Sequence, residues 1–301
     1  MRTKRGIRFK ASELEAGRTY LWRKEFLPLL YKYLELKPRQ IVVDVGSGTG
    51  SFTRLLANGI KFQGKVIGIE RNRRLLSVAK KLSNKQRIPR KLVSYKVGKA
   101  ESLPLPSNFA DRVVCQMVLW LVKDRKRVVS EMLRVCKPGG LVGAIDLVLE
   151  NVAYYYPQNQ RLTELRKKWH EALVKGYAQI YGSDRNIGYK LPTLFKEQGL
   201  ERVRLDAYAY VWSDSDDRIP FDFRLKSYQR YVRNFDTKQE KRRRKEEERI
   251  LYAGGMTRSE IKEFYELGLQ NDKRIVENPK LLDQTTSMNG GIFYIATGIK
   301  P

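Results

Sequence analysis

Residues 41–50 read IVVDVGSGTG, and this run limits the fold more than any other stretch of the chain. Ile41, Val42, Val43 and Val45 are almost continuously apolar and β-branched, as a strand buried on both faces of a parallel sheet should be. Gly46, Gly48 and Gly50 then remove side chains at alternate positions. A chain without Cβ atoms can turn sharply and let a ligand lie against its main-chain amides, ahead of a helix predicted over 51–58. Strand, bare loop and helix in that order predict a nucleotide-type site.

The spacing narrows the ligand. A dinucleotide fingerprint wants a third glycine three places after the second, where this chain has Ser51, so the pattern is instead D-x-G-x-G-x-G. A pyrophosphate gains from a helix N-terminus free of carboxylates, whereas Asp44 favours a ligand carrying an ammonium group. The next apolar run, Lys65 to Ile69, ends at Glu70, twenty residues beyond Gly50, where a carboxylate can accept hydrogen bonds from ribose hydroxyls. An adenosine bearing an amino acid suits both ends.

Four segments then carry a resemblance: VVDVGSGTGSFTRLLA, VIGIERNRRLLSVAKKL, KVGKAESLPLPSNFADRVVCQMVLWLVKD and MLRVCKPGGLVGAIDLV. In order and spacing they resemble the motifs of class I S-adenosylmethionine-dependent methyltransferases, in the branch that includes the ubiquinone and menaquinone biosynthesis enzymes. The likeness covers roughly residues 39–148, and RNIGYKLPTLFKEQGL (185–200) is similar to a later segment of relatives that act on small molecules. The resemblance implies S-adenosyl-L-methionine as cofactor and S-adenosyl-L-homocysteine as product. It assigns Gly46, Ser47 and Gly48 to the methionine part and Asp44 to its ammonium. Glu70 would hold the ribose, Arg71 would flank the adenine, Ala100 and Glu101 would meet the adenine edge, and Gln116 would touch the methionine end. Trp120 stands where many relatives carry His, which implies an apolar wall for the acceptor. Ala110 replaces a usual Phe, and Phe109 is expected to fill that space.

The fold so implied is α/β: a Rossmann-like, seven-stranded, mostly parallel sheet with an antiparallel last strand, plus helical additions. Apolar patterning supports it independently, with strands predicted at 41–45, 65–69, 92–97, 111–117 and 141–147 alternating with helices at 51–58, 72–86 and 124–136. KPGG at 137–140 reads as a helix stop and turn. Helices are expected at 25–36, 162–181 and around 191–198, and closing strands at 201–212 and 291–300. Three domains follow: an N-terminal helical cap over 1–38, a core of 39–212 with 288–301, and a helical insertion over 213–287 that covers the acceptor site. Within the insertion, TKQEKRRRKEEERIL places arginines three to four residues before glutamates, a pattern that supports a solvated helix.

Composition bears on partners. The formal net charge is +27, and residues 51–100 hold fourteen Lys/Arg against one acid, Glu70, most of them over 71–87 and the loop that follows. Such a face invites phosphate-bearing partners, RNA among them, or serves as a solubilising surface. No paired carboxylates, Ser/His/Asp set or metal-ligand cluster is apparent, so no catalytic residue is assigned and no metal expected. Tyr154, Tyr155 and Tyr156 follow the fifth strand, where they would either wall an aromatic or lipid-like acceptor or simply pack. His170, the single histidine, takes no role. Cys115 and Cys136 lie outside any pairing framework and read as small buried hydrophobes in a reducing cytoplasm. No apolar run approaches the ~20 residues of a membrane span. The leading expectation is methyl transfer to a small molecule; RNA methylation and a cofactor-binding protein without catalysis are the alternatives.

Overall fold

The computed structural model describes residues 11, 14, 15, 26–57, 63–156, 159–284 and 287–301. Most of the sequence before the helix Leu27–Tyr33 lies outside the described residues, so the expected cap is seen only in that helix. The chain forms two compact units: Met1–Leu147 with Asn186–Tyr208 and Phe293–Pro301, and Val148–Arg185 with Ala209–Ile292.

The first unit is built on β1 (Ile41–Val45), β2 (Lys65–Glu70), β3 (Val93–Val97), β4 (Ala110–Gln116) and β5 (Cys136–Leu147), all parallel in the order β3-β2-β1-β4-β5. Val42, Val43 and Val45 are buried, as are Val113, Val114 and Cys115 on β4. Each apolar side chain buried this way contributes roughly 1.5–3 kcal/mol, which selects the central position for the most continuously apolar strands. Helices Ser51–Ala57, Arg73–Lys85 and Arg125–Val135 make the crossovers. The last strand, β8 (Met288–Ile299), runs antiparallel to β5, pairing Leu141 with Ile299 and Leu147 with Phe293. β7 (Glu201–Ser213) also pairs with β8, giving the seven strands expected.

The segment KPGG does not form a separate turn. It opens β5, where Gly139 donates to the Lys300 carbonyl and Lys300 donates to the Gly140 carbonyl, both at 2.9 Å. The break in register comes instead on β4, between Ala110 and Arg112. Arg112 is nearly buried and binds the carbonyls of Leu34 and Glu35, each at 2.9 Å. It thereby satisfies orphan acceptors beyond the end of helix Leu27–Tyr33 and fixes that helix to the sheet. Asp111 fixes the start of β1, accepting from the Ile41 amide and from Lys137, both at 2.7 Å.

The second unit is helical, with Gln160–Tyr181, Phe221–Asn234, Lys238–Ala253 and Arg258–Glu277 as its long members. An eighth strand, β6 (Ala153–Tyr155), pairs with the start of β8; at three residues it is too short to show a period in the sequence. Leu162, Leu165, Ala172 and Leu173 are buried on the first long helix, and Ile250 and Leu251 on the third. On the third helix Arg243 pairs with Glu240 and Glu247 as the charge pattern suggests, but Arg244 is buried against Phe235, 3.6 Å from its ring centroid. The first and third helices cross through glycines. A Cβ at Gly176 would collide with the Ile250 carbonyl, and one at Gly254 with the Ala172 carbonyl. Gly176→Ala should therefore lower stability by about 1–3 kcal/mol through overpacking, despite the better helix propensity of alanine. Denaturant unfolding with a wild-type or higher midpoint would show that the helices part freely.

Candidate functional site

The glycine loop hangs on β2. The Ile69 carbonyl accepts from the amides of Gly46 and Ser47 at 2.8 and 2.9 Å, so the loop folds back over the strand end. Gly46, Gly48 and Gly50 all take positive φ, at +72°, +56° and +74°. A Cβ at Gly46 would also lie 2.5 Å from Val118, so that glycine is required twice, by conformation and by space. Glu70 takes the next amide: Oε2 accepts from Gly48 at 3.2 Å and Oε1 from Asn72 at 2.8 Å. Each oxygen keeps acceptor capacity for a further donor. Asn72 caps helix Arg73–Lys85 by accepting from the Arg74 amide, and Arg71 beside it is exposed.

Beneath the loop lie residues the sequence reading did not single out. Arg54, nearly buried, donates to the Thr49 carbonyl at 2.6 Å and to Glu15 at 2.8 Å. Tyr95 packs under Gly50, and its hydroxyl shares a 2.9 Å hydrogen bond with Ser83. Burial pushes the Tyr95 phenol up, so it stays protonated. Gly68 matters as much as the loop glycines, since a Cβ there would meet Ser47 and Tyr95 at 2.8 Å.

At the carboxyl ends of β1, β4 and β5 stand Asp44, Gln116 and Asp146, at 1%, 3% and 0% exposure. Asp44 accepts from Thr53 Oγ1 at 2.5 Å. Asp146 was missed because a single carboxylate after an apolar strand has no motif of its own. Burial first, then the Asp146 and Asp44 carboxylates, push the Cys115 thiol well up, so it is no thiolate nucleophile. Gln116 leads into Met117, whose φ of +56° is rare for a non-glycine and turns the chain sharply at the strand end.

Ala100 and Glu101, both half-buried, sit on a loop bound to helix Arg125–Val135. Glu131 accepts from the Leu103 amide at 2.8 Å, Arg134 donates to the Leu103 and Leu105 carbonyls, and Arg127 donates to the Glu101 carbonyl at 3.1 Å. Trp120 is buried in the core of this unit, against which Phe109 also packs. The three tyrosines belong to the other unit and do not form one surface. Tyr154 and Tyr156 are half-buried whereas Tyr155 is 48% exposed, as strand alternation dictates. His170 packs 4.7 Å from the Tyr154 ring, and burial, aided by Arg166, holds it down at about 4 and therefore neutral.

The first unit thus offers a cradle of bared amides backed by buried polar atoms. Ser47 Oγ, Thr49 Oγ1 and both amide atoms of Gln116 have no partner among the described residues, although unsatisfied buried polar groups are costly. They fit a polar ligand with an adenosine end at Glu70 and an amino-acid end near Asp44. Residues 43–144 match the family model described as a methyltransferase domain. The demethylmenaquinone methyltransferase of Bacillus cereus strain AH187 is 30% identical over 195 residues, covering 63% of this chain and 80% of its own length.

The chain belongs to the class I S-adenosylmethionine-dependent methyltransferases.

Solved structures agree on the fold. A Bacillus halodurans C-125 protein provisionally described as a methyltransferase matches with a TM-score of 0.53 at 18% identity, over 92% of this chain and 99% of its own. Phosphoethanolamine N-methyltransferase 2 of Haemonchus contortus, in complex with S-adenosyl-L-methionine, matches with a TM-score of 0.51 at 16% identity, over 97% of this chain and 57% of its own. Among the described residues of this methyltransferase, no His/Cys/Asp/Glu group could hold a metal ion and no helix is long and apolar enough to cross a membrane.

The Glu131 pin gives the cofactor loop a pH dependence. Hydrogen bonds from Arg134, reinforced by the Leu103 amide, hold the Glu131 carboxyl below its ordinary 4.5. A depressed folded value means the pin contributes stability fully above the unfolded value and loses it as pH falls through the folded one. Glu131→Gln should therefore destabilise the protein at pH 7 and flatten the acid limb of its unfolding curve. Parallel acid limbs in variant and wild type would show that Glu131 carries no such load.

Proposed function

We propose that this methyltransferase acts on a small organic acceptor by in-line displacement, with positioning rather than acid–base chemistry as its main contribution. The observation that carries the cofactor half is the Glu70 carboxylate, which holds the Gly48 amide and retains capacity for a further donor on each oxygen. The acceptor half is supported by the curated relatives, which are demethylmenaquinone methyltransferases, so an electron-rich ring is the first acceptor class to try.

Bound S-adenosyl-L-methionine supplies a methyl group that is already electrophilic on its sulfonium. The chain's own residues then have to bind, orient and exclude water. Glu70 holds the ribose and Arg71 flanks the adenine, with Ala100 and Glu101 at the adenine edge. Asp44 takes the ammonium directly or through water, and Gly46, Ser47 and Gly48 present main-chain groups to the methionine part. Gln116, whose amide has no partner, turns to the methionine end. Trp120 and Tyr154 to Tyr156 are assigned to acceptor selection, and the helical residues of 213–287 to acceptor choice rather than cofactor binding.

The basic face has a separate reading. Arg73, Arg74, Lys80 and Lys81 are exposed on helix Arg73–Lys85. If they only keep the protein soluble, reversing the charges of Arg73, Lys80 and Lys81 leaves turnover intact. A loss that tracks ionic strength would restore a polyanionic substrate.

Calorimetry tests the cofactor half. The protein should bind S-adenosyl-L-homocysteine and not NAD, and Glu70→Ala should weaken that binding by roughly 1–3 kcal/mol, as expected on loss of charge-assisted hydrogen bonds. Unchanged affinity in the variant would place the ribose elsewhere.

A further inference from the structure

The helical unit contains a cavity of about 310 Å³ whose walls all belong to that unit. Its size suits a ligand of one or two fused rings. The four long helices line it, together with Tyr156 after β6, and Gly268 leaves one face open because no atom lies within 4 Å of where its Cβ would be. Six of its fourteen lining residues are aromatic.

The charged groups on the wall differ in how far they are satisfied. Glu247 accepts from Arg243 at 2.7 Å and from the Trp169 indole at 2.9 Å, while Arg243 also reaches Glu240. Arg243 is thus paired with two carboxylates. Arg166 is different: its guanidinium carbon lies 4.6 Å from the Phe264 ring centroid and 4.9 Å from that of Trp169. It has no hydrogen bond or ion pair among the described residues, and its Nε is buried. Stacking of this kind occupies the face of a guanidinium and leaves its N–H edge free, the edge that binds a carboxylate through two parallel hydrogen bonds. A buried N–H such as this Nε is costly without an acceptor, and a bound carboxylate would relieve that cost.

One further wall group can act as a donor. Asp272 accepts only a long 3.3 Å bond from Asn271, and burial raises its carboxyl to about 7, against the pull of Asn271 and Arg166. At neutral pH a large share of Asp272 is therefore protonated and able to donate to an anion rather than repel it.

We propose that this cavity is a binding site for a small planar aromatic acid, its carboxylate on the N–H edge of Arg166 and its ring among Trp169, Phe264 and the cavity tyrosines. The aromatic walls supply affinity for the ring, and Arg166 supplies the discrimination. A neutral analogue of the same shape leaves the guanidinium unpaired and so binds less well. The site is defined by binding alone and stands whichever acceptor receives the methyl group.

The probe pair is 2-naphthoate and its neutral isostere 2-naphthamide, titrated against the full chain at pH 6.5 by calorimetry and by Trp169 fluorescence. The acid should bind at least about tenfold more tightly than the amide, as one charge-assisted bidentate pair implies. Arg166→Gln should bring the two ligands to similar affinity while circular dichroism and S-adenosyl-L-homocysteine binding stay unchanged. Trp169→Phe should abolish the fluorescence response while heat on binding the acid persists. Equal affinity of the wild type for acid and amide, or no binding of either, would overturn the proposal without any variant. A folded Arg166→Gln that still prefers the acid would overturn it as well.

Discussion

The Ile69 carbonyl, which takes two successive amides from the glycine loop, is the contact on which the cofactor region depends. It turns the loop back over β2 and brings the Gly48 amide to Glu70 at the end of the same strand. Because Glu70 also holds the Asn72 amide, one carboxylate fixes both the loop and the entry to the following helix. The lone pairs that these two bonds leave over on its oxygens stay open to further donors. A neutral amide could not copy this, since its nitrogen would face an N–H donor. Below the loop, Arg54 and Tyr95 close the underside, so the ligand-facing amides gain their position from buried hydrogen bonds and not from glycine flexibility.

The contiguous parts of this arrangement were legible in the sequence. Strand, glycines, Asp44 and Glu70 follow one another within thirty residues, and their order reflects local rules: β-branched residues extend, glycines turn, and an aspartate at the strand end awaits a cation. Long-range partners were not legible. Gly68 reads as an ordinary weak point in a strand until Ser47 is seen to pack over it. Glu131 and Arg134 belong to no motif, yet they hold the loop that carries Ala100 and Glu101. KPGG carries turn residues, but pairing with Lys300 outweighs that local preference. The helix Gln160–Tyr181 falls within the 39–212 core that the sequence suggests, but it groups with the later helices. Its grouping with the later helices follows from Gly176 and Gly254, whose missing side chains matter only once the two helices cross.

Charge is handled differently in the two units. Helix Arg73–Lys85 presents its cations without ion pairs among the described residues, whereas the helical unit pairs Arg161 with Glu263, Lys168 with Glu260 and Arg249 with Glu246. Exposed pairs of this kind contribute little to stability, since screening and side-chain entropy offset the attraction. The value of the first two lies in register: each joins a particular position on one helix to another and disfavours slipped packings of otherwise similar apolar faces. Cohesion comes instead from side chains such as Leu165, Ile250 and Phe264 and from the glycine crossing.

Against that background the buried titratable groups of the helical unit are informative. His170 is held neutral at about 4, so it does not change charge near neutral pH. Asp272 does, because burial raises it from 3.8 to about 7. Between those values the native state binds more protons at this site than the unfolded chain does, so stability falls as pH rises through the window. Asparagine at position 272 would keep the shape and remove that penalty. A carboxyl that weakens its own fold at neutral pH, set on a cavity wall near an arginine that forms no ion pair among the described residues, is better accounted for by a ligand than by packing.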